Sequence, residues 1–95
     1  MLVYSVYLVR CSDNSLYCGI TNDIEERLAC HNSGKASKYT RSRLPVRLVC
    51  SVTGFTKSEA LKLEHKIKRT KSQSKIQVLE TYNERTKLRF ETSVS

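Results

Sequence analysis

The first twenty residues constrain the fold most, because they contain two strand-forming segments separated by a short polar turn. Residues 2–9 are rich in Val, Leu and Tyr, and residues 16–21 repeat this character. The five residues at 11–15, Cys-Ser-Asp-Asn-Ser, include three types that favour turns. We therefore predict a β-hairpin. Alternation along its first strand separates the side chains into two faces, one with Leu2, Tyr4, Val6 and Leu8 and the other with Tyr7 and Val9.

A helix and a third strand are predicted to follow the hairpin. Asn22 with Glu25 three residues later favours a helix start, and Gly34 suits the C-terminal end of that helix. Residues 35–45 form a basic loop. Apolar alternation over 46–53 then predicts a strand whose inward residues are Val46, Leu48, Cys50 and Val52.

Two further helices are predicted after the third strand. The first completes the order β-β-α-β-α, and the second is a short last helix. Thr56 with Glu59 repeats the capping pattern and starts a helix that extends to about residue 70. Apolar spacing over 75–82 fits a short third helix. We predict one domain over residues 1–83 and a polar tail over 84–95, because a chain of 95 residues has room for a single core.

Targeting signals are not predicted from this sequence. No apolar run approaches the ~20 residues that cross a bilayer, and the apolar start lacks a basic region and a cleavage site. We therefore expect a soluble, cytoplasmic protein. Four cysteines, Cys11, Cys18, Cys30 and Cys50, match no zinc-binding spacing, and we expect them to be reduced and mostly buried.

The positive charge is concentrated in the middle of the chain. The formal net charge is +8, and residues 35–75 carry twelve Lys and Arg against two Asp and Glu. The flanking segments carry no positive excess. This distribution is typical of a surface that binds a polyanion, although a merely solvated basic surface has the same composition. A membrane surface is less favoured, because no basic amphipathic helix carries Trp or Phe anchors.

Glu64 breaks the apolar pattern of the second predicted helix. At 100° per residue it lies about 40° from Ala60, inside the stripe formed with Leu63 and Ile67. A carboxylate at such a position is costly unless it is paired or bound to a metal ion. Two interpretations stay open, a metal ligand or an ion pair with Lys68 one turn later.

Two other groups of residues admit both a functional and an ordinary interpretation. Arg27 and His31 are one helical turn apart and could present two phosphate-directed donors, or simply face solvent. Tyr7 and Tyr17 lie on the two strands of the hairpin, where cross-strand aromatic pairs are common packing devices. Gly19, inside the second strand, indicates that another group approaches the backbone closely.

Taken together, these residues resemble the GIY-YIG nuclease superfamily over about residues 3–75. Ser5-Val6-Tyr7 resembles the first half-motif and Tyr17-Cys18-Gly19 the second. Ser5, Val6 and Cys18 replace the usual Gly, Ile and Ile. Length and the helix with Glu64 look most like the small stand-alone bacterial members. The residues that correspond to the family's site are Tyr7, Tyr17, Arg27, His31, Tyr39 and Glu64.

The resemblance implies a small three-stranded antiparallel sheet flanked by helices, an α+β fold, and a metal-dependent endonuclease. By this resemblance Glu64 would hold one Mg²⁺ (or Mn²⁺), Arg27 would clamp the phosphate and Tyr7 would activate water. A phenol has a pKa near 10, so we expect nearby positive charge to lower that of Tyr7. Tyr17, Tyr39 and His31 would complete the hydrogen bonds around the phosphate.

The expected substrate is nucleic acid, DNA rather than RNA, recognised by structure and not by base sequence. Basic residues in the loop and on the second helix would contact phosphates: Lys35, Lys38, Arg41, Arg43, Lys68, Arg69 and Lys71. The asparagine that many active members carry after the glutamate has only a loosely spaced counterpart, Asn83. A binding module of the same fold that does not cleave is therefore the alternative, and a subunit that requires a protein partner is a third.

Overall fold

A computed structural model describes residues 3–82, so Asn83 and the predicted tail 84–95 lie outside the described residues. Its strands and helices follow one another along the chain as β1 (Tyr4–Arg10), β2 (Leu16–Thr21), α1 (Ile24–Asn32), α2 (Lys38–Arg41), β3 (Arg47–Phe55), α3 (Lys57–Arg69) and a helical segment over 72–82, here α4. This order confirms the predicted α+β class.

The three strands form one antiparallel sheet in the order β2-β1-β3, with β1 in the centre. The hairpin places Tyr7 opposite Gly19 and Val9 opposite Tyr17. Because β2 is an edge strand, side chains of β1 that pass over it reach the rim of the sheet. That rim is where the candidate site lies.

Each face of the sheet is covered, as the alternation along β1 predicts. Val6 and Leu8 pack with Ala60, Leu63 and Ile67 of α3 on one face. Tyr7 and Val9 pack on the opposite face against Val46, with Ile24 and Leu28 of α1 beside them. A two-sided core in so short a chain fixes α1 and α3 on opposite sides of the same three strands.

Three local predictions need correction. The N-cap of α1 is Asp23, not Asn22, because the Asp23 carboxylate accepts the Glu26 N–H. The predicted basic loop contains the short helix α2, which Ser37 caps. The last helix begins at residue 72, ahead of the predicted 75.

The inward pattern predicted for the third strand is wrong at Leu48, which is 40% exposed. Leu8 pairs with Cys50 whereas Val9 pairs with Leu48, so β3 contains one extra residue at this point. Such a β-bulge moves the following side chains to the other face. Val46 and Val52 therefore contribute to different sides of the core.

All four thiols are free, with Cys11 and Cys18 buried and Cys30 and Cys50 partly buried. Their full or partial burial agrees with the expected packing of the cysteines. Among residues 3–82, no helix is both long and apolar enough to traverse a lipid bilayer.

Candidate active site

The centre of the site is the Tyr7 side chain, which extends from the central strand across the edge strand. Its ring lies directly over Gly19, and a Cβ at that position would be only 2.6 Å from the Tyr7 Cζ atom. The group that the sequence predicted to approach this glycine is therefore the tyrosine ring of the neighbouring strand. Any larger residue at 19 would displace the phenol.

His31 of α1 is hydrogen-bonded to Tyr7. The Tyr7 hydroxyl and His31 Nε2 are 2.8 Å apart, and both side chains are buried. The other ring nitrogen, Nδ1, is 2.8 Å from the Thr40 hydroxyl oxygen on α2. The His31 ring is thus fixed at both nitrogens.

Aromatic rings extend the site from His31 towards solvent. The Tyr17 ring makes an edge contact with His31, at 5.4 Å between centroids, and stacks on Tyr39 at 5.9 Å. Arg43 lies over the Tyr39 ring at 3.9 Å and also pairs with Asp13 of the hairpin turn at 2.9 Å. The turn, α2 and β2 are therefore tied together at one side of the phenol.

Glu64 faces the same region from α3. Its side chain is only 16% exposed, and its carboxylate is 3.3 Å from the Lys68 ammonium, which also lies 5.4 Å from the centre of the Tyr17 ring. The carboxylate is thus both largely buried and paired. No group of three or more His, Cys, Asp and Glu side chains within residues 3–82 is arranged to hold a metal.

The pKa of Tyr7 is raised, not lowered as expected from the sequence. Burial is the main cause, followed by the neighbouring Tyr17, whereas Arg27 opposes the shift and Glu64 adds to it. Arg27 is therefore close enough to act on the phenol, but one guanidinium does not outweigh the loss of solvation. Tyr7 is neutral near pH 7.

His31 and Cys18 are also neutral for reasons of burial. Desolvation and then the positive charge of Arg27 lower the pKa of His31. Desolvation and then the Glu64 carboxylate raise the pKa of the Cys18 thiol to about 12. The site therefore has an uncharged Tyr–His pair whose phenol lies within electrostatic reach of a cation, Arg27, and an anion, Glu64.

The predicted phosphate-contacting residues fall into two groups. Arg43 and Lys68 are engaged in ion pairs with Asp13 and Glu64. The others are exposed, around α2 and at the C-terminal end of α3: Lys35, Lys38, Arg41, Arg69 and Lys71. Lys35, Lys38 and Arg41 line one groove, whereas Arg69 lines another with Lys57 and His65.

Sequence reasoning missed Thr40, which is fully buried against His31. It follows Tyr39 on α2, and the short helix was itself predicted as loop. A threonine in a basic polar segment gives no signal of burial. The only hint is Ser37, a favourable N-cap residue three positions earlier.

Comparison with known proteins finds a match between residues 3–92 and the family model described as the GIY-YIG catalytic domain. The chain is 49% identical over 77 residues to the UPF0213 protein YsiG of Lactococcus lactis, which covers 77% of the chain and 74% of that protein. It is 46% identical over 80 residues to the UPF0213 protein SH2523 of Staphylococcus haemolyticus, which covers 84% and 98%.

Two solved structures share the fold. The solution NMR structure of protein EF2693 from E. faecalis matches with a TM-score of 0.60 and 36% identity, over 87% of this chain and 88% of that one. The UPF0213 protein BH0048 from Bacillus halodurans matches with a TM-score of 0.53 and 38% identity, over 84% and 85%. Both confirm the three-stranded sheet flanked by helices.

Proposed function

Because the chain belongs to the GIY-YIG family, a superfamily of nucleases, we propose that it hydrolyses phosphodiester bonds in DNA with one divalent cation. The observation that carries the proposal is the 2.8 Å hydrogen bond between the Tyr7 hydroxyl and His31 Nε2, with Arg27 and Glu64 acting on the same phenol. A buried Tyr–His hydrogen bond with a cation and an anion acting on the same phenol is more than packing requires.

Tyr7 and His31 together transfer the proton of the attacking water. Since the raised pKa keeps Tyr7 protonated, its oxygen accepts the water proton only as its own proton passes to His31 Nε2. The lowered pKa of His31 favours the neutral ring, in which one of the two nitrogens is free to accept a proton. The phenol thereby acts as a base without first becoming a phenolate.

Arg27 stabilises the negative charge that develops on the phosphate. Its guanidinium can donate two parallel hydrogen bonds to phosphate oxygens, a geometry that lysine lacks. Tyr17 and Tyr39 form the wall beside the phenol, and Tyr39 remains 38% exposed at the entrance. The wall orients the scissile phosphate towards Tyr7.

Glu64 would hold the divalent cation. A lone carboxylate with the remaining positions filled by water suits Mg²⁺, and Mn²⁺ also accepts oxygen ligands. When bound, such an ion neutralises charge on the phosphate and on the leaving oxygen. The Lys68 ammonium pairs with Glu64 Oε2 in the structure, so the ion would compete with Lys68 for this carboxylate.

The exposed basic residues of α2 and α3 favour binding along the phosphate backbone. Phosphate contacts position a nucleic acid without reading its bases. We therefore expect preference for a DNA structure, such as a nick, flap or branch, over a base sequence.

One observation favours a second function, a DNA-binding module that does not cleave. The Glu64 carboxylate is already neutralised by Lys68 at 3.3 Å, so it does not need a metal ion to be tolerated. In that case the protein binds DNA equally well with and without Mg²⁺.

Cleavage assays separate the two functions. The purified protein is incubated with nicked, flapped, branched and single-stranded DNA and with RNA, in Mg²⁺, Mn²⁺ or EDTA. Cleavage that requires the metal supports the nuclease, and binding without cleavage on every substrate supports the module.

A matched pair of variants tests the role of Glu64. Glu64→Gln should abolish metal-dependent cleavage while DNA binding is retained or slightly tighter. Glu59→Gln is the control, because Glu59 lies on the same helix and its capping bond to the Thr56 N–H is also available to glutamine. If Glu64→Gln cleaves as fast as Glu59→Gln, the proposed metal site is wrong.

A further inference from the structure

The hydrogen bonds of His31 continue beyond the Tyr7–His31 pair. Thr40 is fully buried, and its hydroxyl oxygen is 2.8 Å from His31 Nδ1. The same hydroxyl is 3.4 Å from the backbone oxygen of Ser37, the N-cap residue of α2. Four groups thus form one chain: the Tyr7 phenol, the His31 ring, the Thr40 hydroxyl and the Ser37 carbonyl.

The number of donors decides the direction of these hydrogen bonds. The Ser37 carbonyl can only accept, so the Thr40 hydroxyl donates to it and accepts from His31 Nδ1–H. His31 Nε2 then carries the lone pair and accepts from the Tyr7 hydroxyl. In this arrangement the hydrogens on the Tyr7 hydroxyl, on His31 Nδ1 and on the Thr40 hydroxyl each have an acceptor.

The opposite direction leaves one donor without an acceptor. If Thr40 donated to Nδ1, Nε2–H would donate to the Tyr7 oxygen, and the Tyr7 O–H would have no acceptor in the protein and would donate to the attacking water, which in the proposed mechanism must instead donate to it. Within residues 3–82, His31 is the only hydrogen-bond partner of that buried hydroxyl. A buried donor without an acceptor destabilises the folded protein, which disfavours this direction.

We propose that Thr40 is a positioning residue that fixes neutral His31 as its Nδ1–H tautomer, so that the Nε2 lone pair faces Tyr7. This inference deepens the proposed function and rests on it for its catalytic meaning. A histidine in the other tautomer would donate to the phenol and could not receive its proton. Thr40 acts only through His31 and does not touch the substrate.

The tautomer is measured directly by NMR on protein labelled with ¹⁵N-histidine. The chain has two histidines, His31 and the exposed His65. A His65→Gln variant therefore assigns the spectrum. The wild-type His31 should show a protonated Nδ1 and an unprotonated Nε2 at neutral pH, and a protonated Nε2 would overturn the proposal.

Two substitutions at position 40 separate hydrogen bonding from shape. Thr40→Val removes the hydroxyl with little change of shape, so its His31 should no longer show a protonated Nδ1 and an unprotonated Nε2. Thr40→Ser keeps the hydroxyl and should retain it. An unchanged tautomer in Thr40→Val would overturn the proposal, and if that variant does not fold, the wild-type and Thr40→Ser spectra decide the question.

Kinetics test the consequence for the reaction. A positioned proton-transfer group contributes about 10²–10⁴-fold to a rate, so Thr40→Val should lower kcat by about tenfold or more with an unchanged Kd for DNA. Thr40→Ser should restore kcat. A Thr40→Val enzyme with the altered tautomer and wild-type kcat would overturn the positioning role.

The nuclease proposal and the proposed role of Thr40 can be contradicted independently of each other. If the wild type cleaves no substrate, the nuclease proposal fails, while the NMR spectra still decide whether Thr40 fixes the His31 tautomer. If the wild type cleaves DNA but His31 is protonated at Nε2, the nuclease proposal stands and the role of Thr40 is wrong.

Discussion

Replacement of Gly19 by alanine tests the arrangement on which the whole site depends. The backbone of Gly19 does not adopt a positive φ, so alanine is conformationally allowed there. Alanine in a strand is ordinarily favoured over glycine by about 0.5–1 kcal/mol. At this position we predict the opposite sign, because the new Cβ would overlap the Tyr7 ring.

The displacement follows from the distances. The Cβ would lie 2.6 Å from Tyr7 Cζ, whereas carbon atoms pack at about 3.5–4.0 Å, so the ring has to move by about 1 Å. Overpacking of this kind costs about 1–3 kcal/mol. A shift of this size would disturb the 2.8 Å Tyr7–His31 bond, which tolerates only a few tenths of an ångström. A misplacement of ~1 Å can reduce a catalytic rate about 100-fold.

Urea denaturation and cleavage kinetics measure the two effects. Gly19→Ala should lower the unfolding midpoint and reduce kcat, with little change in DNA affinity. In a Tyr7→Ala background the overlapping ring is absent, so adding Gly19→Ala should be neutral or stabilising. A Gly19→Ala protein at least as stable as the wild type, with a normal kcat, would refute the reasoning.

Three other predictions concern charge. Arg27→Ala should lower kcat roughly 10²–10³-fold with little loss of DNA affinity, because the proposed role of the arginine is at the reacting phosphate. Equal losses in kcat and in DNA affinity would make Arg27 an ordinary phosphate-binding residue. If the five exposed cations Lys35, Lys38, Arg41, Arg69 and Lys71 contact phosphates, log K for duplex DNA should fall with log[salt] at a slope of about −4 to −5. Replacing Lys38 by Gln should reduce that slope by about 1, and a flat dependence would exclude backbone binding. Because the pKa of His31 is lowered in the folded state, the free energy of unfolding should decrease as pH falls below about 6.5, by up to about 1.4 kcal/mol per pH unit. Urea titrations measure this dependence, and the His65→Gln variant should keep it. A free energy of unfolding that stays constant from pH 8 to 5 would contradict the burial of His31.

Several residues of the site can be found from the sequence because their signals are local. Alternation within one strand separates Tyr7 from Val6 and Leu8, and the helical period places Glu64 beside Ala60 and Leu63. These relations depend only on backbone geometry. They are confirmed by the two-sided core and by the low exposure of Glu64.

Relations between distant segments were not predictable in the same way. The Glu64–Lys68 pair lies within one helix and was one of the two interpretations open from the spacing, whereas the approach of Lys68 to the Tyr17 ring joins different elements. The sign of the Tyr7 pKa shift depends on how completely α1 and β2 exclude water from the phenol, which no spacing in the sequence reports. The sequence therefore suggested that positive charge would dominate, and burial proved the larger effect.

The sequence by itself determined the hairpin and the two-faced sheet, and it indicated Tyr7, Tyr17, Arg27 and Glu64 as candidate site residues. Only the tertiary structure decided that Thr40 reaches His31 and that the bulge in β3 turns Leu48 away from the core. The direction of side chains along one strand or helix follows the fixed period of that element, so it can be predicted from the spacing of residues in the sequence. Contact between α1 and α2 is set by how the segments pack, and packing is a property of the whole chain.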